Sequence, residues 1–557
     1  MRRSWHKSLL GAAVLAGVAP SLLLVIPAGA VQRGSARDAA LASRAAATTL
    51  RVPHIVWTKC PPAQPGNASL AHFRCARVAV PLNYADPAGR KIYLGVVKHP
   101  AETPRQRIGT LFFNPGGPSG LGSVFLPALL NGFGRGVLDR FDIVSWDPRG
   151  MGGLSSPPVQ CFNTRADEQA LIAPVDFPPL TPNEMAQWGN IHAQLNRDCA
   201  GRDTALLAHV STADNARDLD LLRRAVGDPK TYYYGTSYGT FLGATYANMF
   251  PRRLQRMVLD GTVYAKAWAA TGPLSTFLRV GSDKATAATL HAFLSLCGNA
   301  PVRRCAFSAG SAAATISKYA TLLARAQKTP IVVPEETPTT ASSIVALTGP
   351  SLYFVYPLPG DSHFVGWNGL AQILETLWKA SSPATGAADL AKAASPASSR
   401  TAESAASAAA APPYSGAEQQ LSVICGESPN PTTIAAYIRQ AMLSERRAGF
   451  GAQIWPWIAY CVDWPVKAAS PYLGPWNHHT NPIMVMGNTG DPATPYDNAV
   501  LESKLLPGAR LVTVKGYGHT ELGNVSTCAQ NYVAGYLIRG LLPPRGATCN
   551  QNSPPFR

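Results

Sequence analysis

The stretch Thr231-Tyr232-Tyr233-Tyr234-Gly235-Thr236-Ser237-Tyr238-Gly239-Thr240 decides the fold. It reads as a short strand, a sharp turn and a helix. Tyr232 to Tyr234 favour a pleated strand. Gly235-Thr236-Ser237-Tyr238-Gly239 fits G-x-S-x-G, in which a serine is displayed on a strained strand-to-helix turn. Bulky residues in place of the flanking glycines would collide there. Thr240 to Phe250 continues as a helix, and Gly243, Ala244 and Ala247 let it lie close to a sheet. By itself the pattern is weak, because a chain of this length holds roughly 0.2 to 0.3 chance matches. A glycine turn with a bystander serine is the bland alternative, so the surrounding chain has to decide.

Upstream, Gly109 to Phe113 is an apolar strand that runs into Asn114-Pro115-Gly116-Gly117-Pro118-Ser119-Gly120. Paired glycines after a strand let backbone N–H groups point into a cleft, as an oxyanion hole requires. Phe141 to Trp146 is the next strand, leading into Asp147-Pro148-Arg149-Gly150-Met151-Gly152-Gly153-Leu154-Ser155, read as a structural loop. Residues 161 to 225 are mostly helical. Ala216, Leu219, Leu222 and Val226 recur there at helical spacing. Gln255 to Leu259 is a further strand, ending at Asp260-Gly261-Thr262. This alternation predicts an α/β fold with a mostly parallel sheet covered by helices.

After Thr262 the strand signal fades. It resumes at Pro482-Ile483-Met484-Val485-Met486-Gly487, before Asn488-Thr489-Gly490-Asp491-Pro492-Ala493-Thr494-Pro495. Ala509 to Val514 then forms a strand that runs into Lys515-Gly516-Tyr517-Gly518-His519. Residues 263–480 are therefore a large, mainly helical cap inserted before the last two strands. Its Ala/Ser/Pro-rich segment 380–413 is low in complexity. The first part of the core spans 75–262 and the C-terminal part 481–557. Ala76 to Pro81 and Lys91 to Lys98 add two strands joined at Asp86-Pro87-Ala88-Gly89.

Residues 1–30 read as a signal peptide. Arg2, Arg3 and Lys7 precede an apolar run from Leu9 to Ile26, and Ala28-Gly29-Ala30 is an A-x-A cleavage site. An uncleaved membrane anchor is the alternative. Residues 31–74 form a flexible leader and an N-terminal loop. No later stretch offers about 20 unbroken apolar residues, so no stable membrane insertion is expected once the signal is removed. The expected location is secreted, periplasmic or cell-envelope. The ten cysteines agree with export: an even number, without a C-x-x-C pair, favours disulfides over zinc or redox chemistry. Nearest-neighbour pairing gives 60–75, 161–199, 297–305, 425–461 and 528–549. The 557-residue chain is 46% hydrophobic and only 15% charged, which excludes a disordered class. Its net charge of +17 is scattered rather than clustered on a motif. That argues against nucleic acid and for electrostatic association with an anionic envelope.

Ser237, Asp491 and His519 each follow a predicted strand. His519 would take the serine proton and later protonate the leaving group. Asp491 would hold the imidazole in the required tautomer. The Tyr238 N–H and the Gly116–Gly117 turn would supply the oxyanion donors, since Pro118 has no N–H. The bland alternatives are a helix cap for Asp491 and a loop histidine for His519. No metal or cofactor is called for.

Together these motifs resemble the exported tripeptidyl-aminopeptidase-like branch of the α/β-hydrolases, relatives of the prolyl iminopeptidases. The resemblance covers about residues 75 to 545, apart from the Ala/Ser-rich segment. It implies an exported serine hydrolase that releases short peptides or single residues from peptide N-termini through an acyl-enzyme. It also implies a cap that limits access and carries carboxylates for the free ammonium. Ile424-Cys425-Gly426-Glu427 resembles a family Cys-x-acid motif, and Cys461-Val462-Asp463-Trp464-Pro465 a later Cys/Trp-Pro motif. Glu427 is thus the leading amino-group anchor and Asp463 the second. Pro115 departs from the histidine that opens the prolyl-iminopeptidase motif, which weakens that closer likeness. A carboxylesterase acting on small acyl esters with the same triad is the alternative. A non-catalytic envelope-binding protein is the rival of another class.

Overall fold

A computed structural model of the chain describes residues 50–557 apart from 335, 363, 382–413, 415 and 450–452. The signal peptide, nearly all of the leader and the body of the low-complexity segment lie outside the described residues. The strands are β1 (Thr58–Lys59), β2 (Arg74–Pro81), β3 (Lys91–His99), β4 (Gly109–Asn114), β5 (Phe141–Trp146), β6 (Thr231–Thr236), β7 (Leu254–Asp260), β8 (Met484–Gly490), β9 (Arg510–Tyr517) and β10 (Ala547–Asn550). They form one sheet in the order β1-β2-β3-β5-β4-β6-β7-β8-β9-β10. The first three pair antiparallel, and β3 meets β5 antiparallel. From β5 to β10 every pairing is parallel. This is the α/β-hydrolase fold, as the motifs predict.

The central strands are apolar throughout because both faces are covered. Phe112, Tyr233 and Val485 join the core on one face of the sheet. Their strand neighbours Leu111, Phe113, Tyr234, Met484 and Met486 join the core on the other. The two-residue period of the strands thus feeds two separate layers. Leu219 and Leu222 of the helix Thr212–Ala225 and Phe241 of the helix Tyr238–Met249 cover the first face. Leu126 of the helix Gly122–Leu129 and Val533 and Leu537 of the helix Thr527–Arg539 cover the second.

Two features differ from the sequence reading. The cap is followed by three strands, not two. The third, β10, is four residues long and pairs parallel with β9. Only Ala547 and Cys549 of it are buried, so it has too short an apolar pattern to be seen in the sequence. The second difference is the cap itself, which has two sources. Within 263–480, Leu290, Phe293, Tyr319, Leu322, Trp367 and Leu370 build a core of their own. A smaller cluster joins Met185 and Trp188, from the helix Pro182–Asp198, to Tyr437, Trp457 and Tyr460. The helix Pro182–Asp198 therefore packs with the cap, while Val159, Leu206 and Val210 of the same connection stay in the sheet core.

All five disulfides pair nearest neighbours: Cys60–Cys75, Cys161–Cys199, Cys297–Cys305, Cys425–Cys461 and Cys528–Cys549. Cys161–Cys199 closes the connection after β5, and Cys425–Cys461 lies within 263–480. Among the described residues no helix is long and apolar enough to cross a membrane.

Candidate active site

The strand order places the site. The chain runs from β4 outward to β5, then returns past β4 to β6, so the connections leaving β4 and β6 diverge at their C-terminal ends. Such a switch point opens a crevice in a parallel sheet. Ser237 follows β6 with φ 56° and ψ −130°, a conformation that costs a non-glycine residue about 1–3 kcal/mol. Of residues 235–239 it alone is not fully buried. The flanking space explains the glycine at 239, where a Cβ would sit 2.4 Å from the Asn114 carbonyl oxygen.

His519 follows β9. Its Nδ1 lies 2.9 Å from each carboxylate oxygen of Asp491. Asp491 is fixed in turn: Oδ1 accepts the N–H groups of Ala493 and Thr494 at 2.8 and 2.9 Å, and Oδ2 accepts the Thr494 hydroxyl at 3.0 Å. So Asp491 ties down the turn before the helix Tyr496–Leu505, whose N-cap is Pro495 and not Asp491, and contacts the histidine as well. His519 is buried, and its Nε2 has no hydrogen-bond partner among the described residues. Both His519 and Ser237 line one cavity of about 890 Å³. A histidine held at Nδ1 by a carboxylate, with Nε2 left for another partner, can act as a general base.

The turn after β4 and the start of the helix Tyr238–Met249, expected to supply oxyanion donors, also converge. Gly116 and Gly117 have φ of 99° and 112°. A Cβ on Gly116 would lie 2.8 Å from Ser237 Cβ and 3.0 Å from the Tyr238 nitrogen. The turn after β4 therefore packs directly against the elbow. The Gly116 N–H is not available, since it donates to Asn114 Oδ1 at 3.1 Å. That narrows the expected pair to Gly117 and Tyr238. Tyr238 opens a helix, where the N–H has no intrahelical acceptor.

The structure corrects the expected ammonium anchors. Glu427 is buried and is not on the cavity wall. Its carboxylate accepts the Thr212 N–H at 2.7 Å, the Thr212 hydroxyl at 2.6 Å and Trp268 Nε1 at 3.1 Å. Burial pushes its pKa up to about 7, against the lowering effect of those bonds. It fastens the cap helix Ala417–Glu427 to Thr212 in the core. Asp463 lies on the surface, paired with Arg197 at 2.5 Å. Sequence proximity to a disulfide cannot tell a buried brace from a cavity carboxylate. Among the described residues lining the cavity, Asp176 is the one carboxylate. It lies between the helices Arg165–Ile172 and Pro182–Asp198, in the segment not recognised as cap.

The rest of the wall is largely apolar. It includes Phe125, Trp188, Phe277, Phe354 and Trp457. His192 also lines it, with its ring stacked on Trp188 at 3.5 Å between centroids. Burial lowers the His192 pKa to about 4, so it is neutral at physiological pH. Sequence reasoning also missed Tyr353, whose carbonyl accepts the His519 N–H at 2.7 Å. The Asp147–Arg149 loop is structural, as expected. Arg149 is fully buried and bonds Asp218 through Nε and Nη2, each at 2.7 Å.

Comparison with known proteins points the same way. Residues 109–278 match the family model described as alpha/beta hydrolase fold. Residues 447–549 match the model described as TAP-like protein. The chain is 29% identical to "Serine protease Hip1" of Mycobacterium tuberculosis, over 89% of this chain and 91% of that one. It is 28% identical to "Tripeptidyl aminopeptidase" of Streptomyces lividans, over 94% and 90%. It is also 28% identical to "Carboxylesterase B" of Mycobacterium tuberculosis, over 99% and 100%.

Proposed function

We propose that this α/β-hydrolase, similar along most of its length to a tripeptidyl aminopeptidase, is an exported serine peptidase that trims short peptides or single residues from peptide N-termini. The observation that carries the reading is the Asp491–His519 pair, with His519 Nε2 unpartnered among the described residues and both His519 and Ser237 lining one cavity.

Ser237 Oγ attacks the scissile carbonyl while His519 Nε2 takes its proton. The Tyr238 and Gly117 N–H groups donate hydrogen bonds to the developing oxyanion. Asp491 stabilises the imidazolium, which then protonates the leaving amine. Water repeats the sequence on the acyl-enzyme, with His519 again the base. Five disulfides support folding in an oxidising compartment outside the cytoplasm. Asp176 supports recognition of the free α-amino group at the cavity wall.

One observation favours a second reading. A wall rich in aromatic side chains, with one carboxylate among the described lining residues, suits an apolar acyl ester as well as an apolar peptide. The full-length likeness to a protein named a carboxylesterase supports that reading too.

The test is a matched chromogenic set: free and N-acetylated forms of a single-residue and a tripeptide amide, and a short acyl ester. Turnover confined to free-amine peptides is expected, and the favoured length would name the subtype. Turnover of the ester alone would move the enzyme to the esterases.

A further inference from the structure

Asp260 ends β7, next to the nucleophile strand β6, and is fully buried. Its backbone carbonyl accepts the Ser237 N–H at 3.0 Å. Its carboxylate reaches the other side of the site. Oδ1 accepts the Glu521 N–H at 2.9 Å, and Oδ2 accepts the Leu522 N–H at 2.9 Å and the Tyr234 hydroxyl at 3.0 Å. Glu521 and Leu522 lie two and three residues after His519. The next residue, Gly261, packs so closely that a Cβ there would be 3.3 Å from both Asp491 Oδ2 and His519 Cε1. One residue therefore bonds the elbow that carries the serine and the loop that carries the histidine.

We propose that Asp260 is a positioning residue for the triad, holding the His519 loop in register with the Ser237 elbow through its bonds to both. The inference rests on the serine-hydrolase reading above.

The chemistry needs a carboxylate. Three donors are shared between two oxygens, and an asparagine offers only one acceptor oxygen. In either orientation its amide nitrogen would face an N–H of the loop, that of Glu521 or that of Leu522. The loop would shift, and with it the approach of His519 Nε2 to Ser237. Burial raises the pKa of Asp260, but the three donors oppose that rise. Glu521, buried beside it, is raised further, first by burial and then by the Asp260 charge. The negative charge of the pair thus settles on Asp260, where the donors are.

The experiment compares wild type with Asp260→Asn, counting active sites by fluorophosphonate titration so that unfolded protein drops out. Turnover per titrated site is expected to fall on the order of 10- to 100-fold, as for an ångström-scale misplacement of a reacting group. KM should stay within a few-fold, and the labelling rate should fall with turnover. Unchanged turnover per site would overturn the assignment, whatever happened to thermal stability. Failure of wild type to label at Ser237 would instead overturn the serine-hydrolase reading. Should the variant not accumulate, hydrogen exchange on the wild-type protein decides. The Glu521 and Leu522 amides should exchange as slowly as those of β7, and exchange at the rate of an open loop would overturn the assignment.

Discussion

Tyr353 and His519 meet edge to face, with 4.8 Å between ring centroids and 70° between ring planes. The His519 N–H also donates to the Tyr353 carbonyl. One residue comes from the inserted cap, the other from the loop after β9, so the candidate base is held partly by the cap. Asn524 locks the contact, its Nδ2 bonding the carbonyls of Tyr353 and His519 at 2.9 and 3.0 Å. An edge-to-face aromatic contact is worth about 0.5–1.5 kcal/mol. Tyr353→Leu, which keeps the backbone bond, should lower kcat by about three- to tenfold through looser placement of the ring. Steady-state kinetics at saturating peptide would show it, and an unchanged kcat would mean that the ring contact is incidental.

Asp491→Asn should leave the fold intact and drop kcat by roughly 10⁴-fold, because the amide favours the wrong imidazole tautomer. KM should move little, since Asp491 is absent from the cavity wall. A modest loss would transfer the orienting role to another carboxylate, and the nearby buried Asp260 would be the first to examine.

Gly116→Ala tests the oxyanion turn. A methyl there would lie 2.6 Å from the Thr236 carbonyl oxygen and 2.8 Å from Ser237 Cβ, at a φ that alanine rarely adopts. The turn must move, carrying the Gly117 N–H away from the Tyr238 N–H. Loss of one preorganised donor costs about 10²- to 10³-fold in kcat. The prediction is read as kcat per titrated serine, and a loss confined to KM would contradict it.

The core was legible because its signals are local. Gly235 to Gly239, Asp491 and His519 each follow a strand whose apolar run announces it, and parallel strands bring those ends together. The pairing of neighbouring cysteines was legible for the same reason. What stayed hidden depends on contacts between distant segments. Nothing in Arg165–Asp198 marks it as cap, because its partners Tyr437 and Trp457 are more than 200 residues away. Glu427 had the right residue type beside the right cysteine. Only Thr212 and Trp268, from two other parts of the chain, reveal that its oxygens are already occupied.

That distinction separates two carboxylates experimentally. Asp176→Asn should raise KM for free-amine peptides about two- to fivefold, the range of an exposed ion pair, and leave N-acetylated substrates unchanged. Glu427→Gln should act without regard to the amino group. Its amide nitrogen would face a donor, either the Thr212 N–H or Trp268 Nε1, and loosen the cap helix for every substrate. Parallel kinetics on matched free and acetylated peptides would decide. A selective free-amine effect of Glu427→Gln would restore the anchor role to that residue.

Glu502 offers a prediction about stability rather than turnover. It lies fully buried in the helix Tyr496–Leu505, with Oε2 accepting the Ala265 N–H at 2.9 Å and Oε1 unpartnered among the described residues. Burial pushes its pKa up to about 8, from an ordinary value of 4.5. The folded protein therefore holds a proton that the unfolded chain releases between those two values. The stabilisation is complete below about pH 4.5 and is lost as pH rises through about 8. Glutamine matches the protonated carboxyl in shape and cannot titrate. Glu502→Gln should match wild type near pH 5 and become progressively more stable than it up to pH 9, by on the order of a few kcal/mol. Urea unfolding at pH 5, 7 and 9 measures the difference. Wild-type and variant stabilities that stayed parallel across that range would show that Glu502 ionises in the folded protein as it does in water, through an opening of the helix that admits solvent.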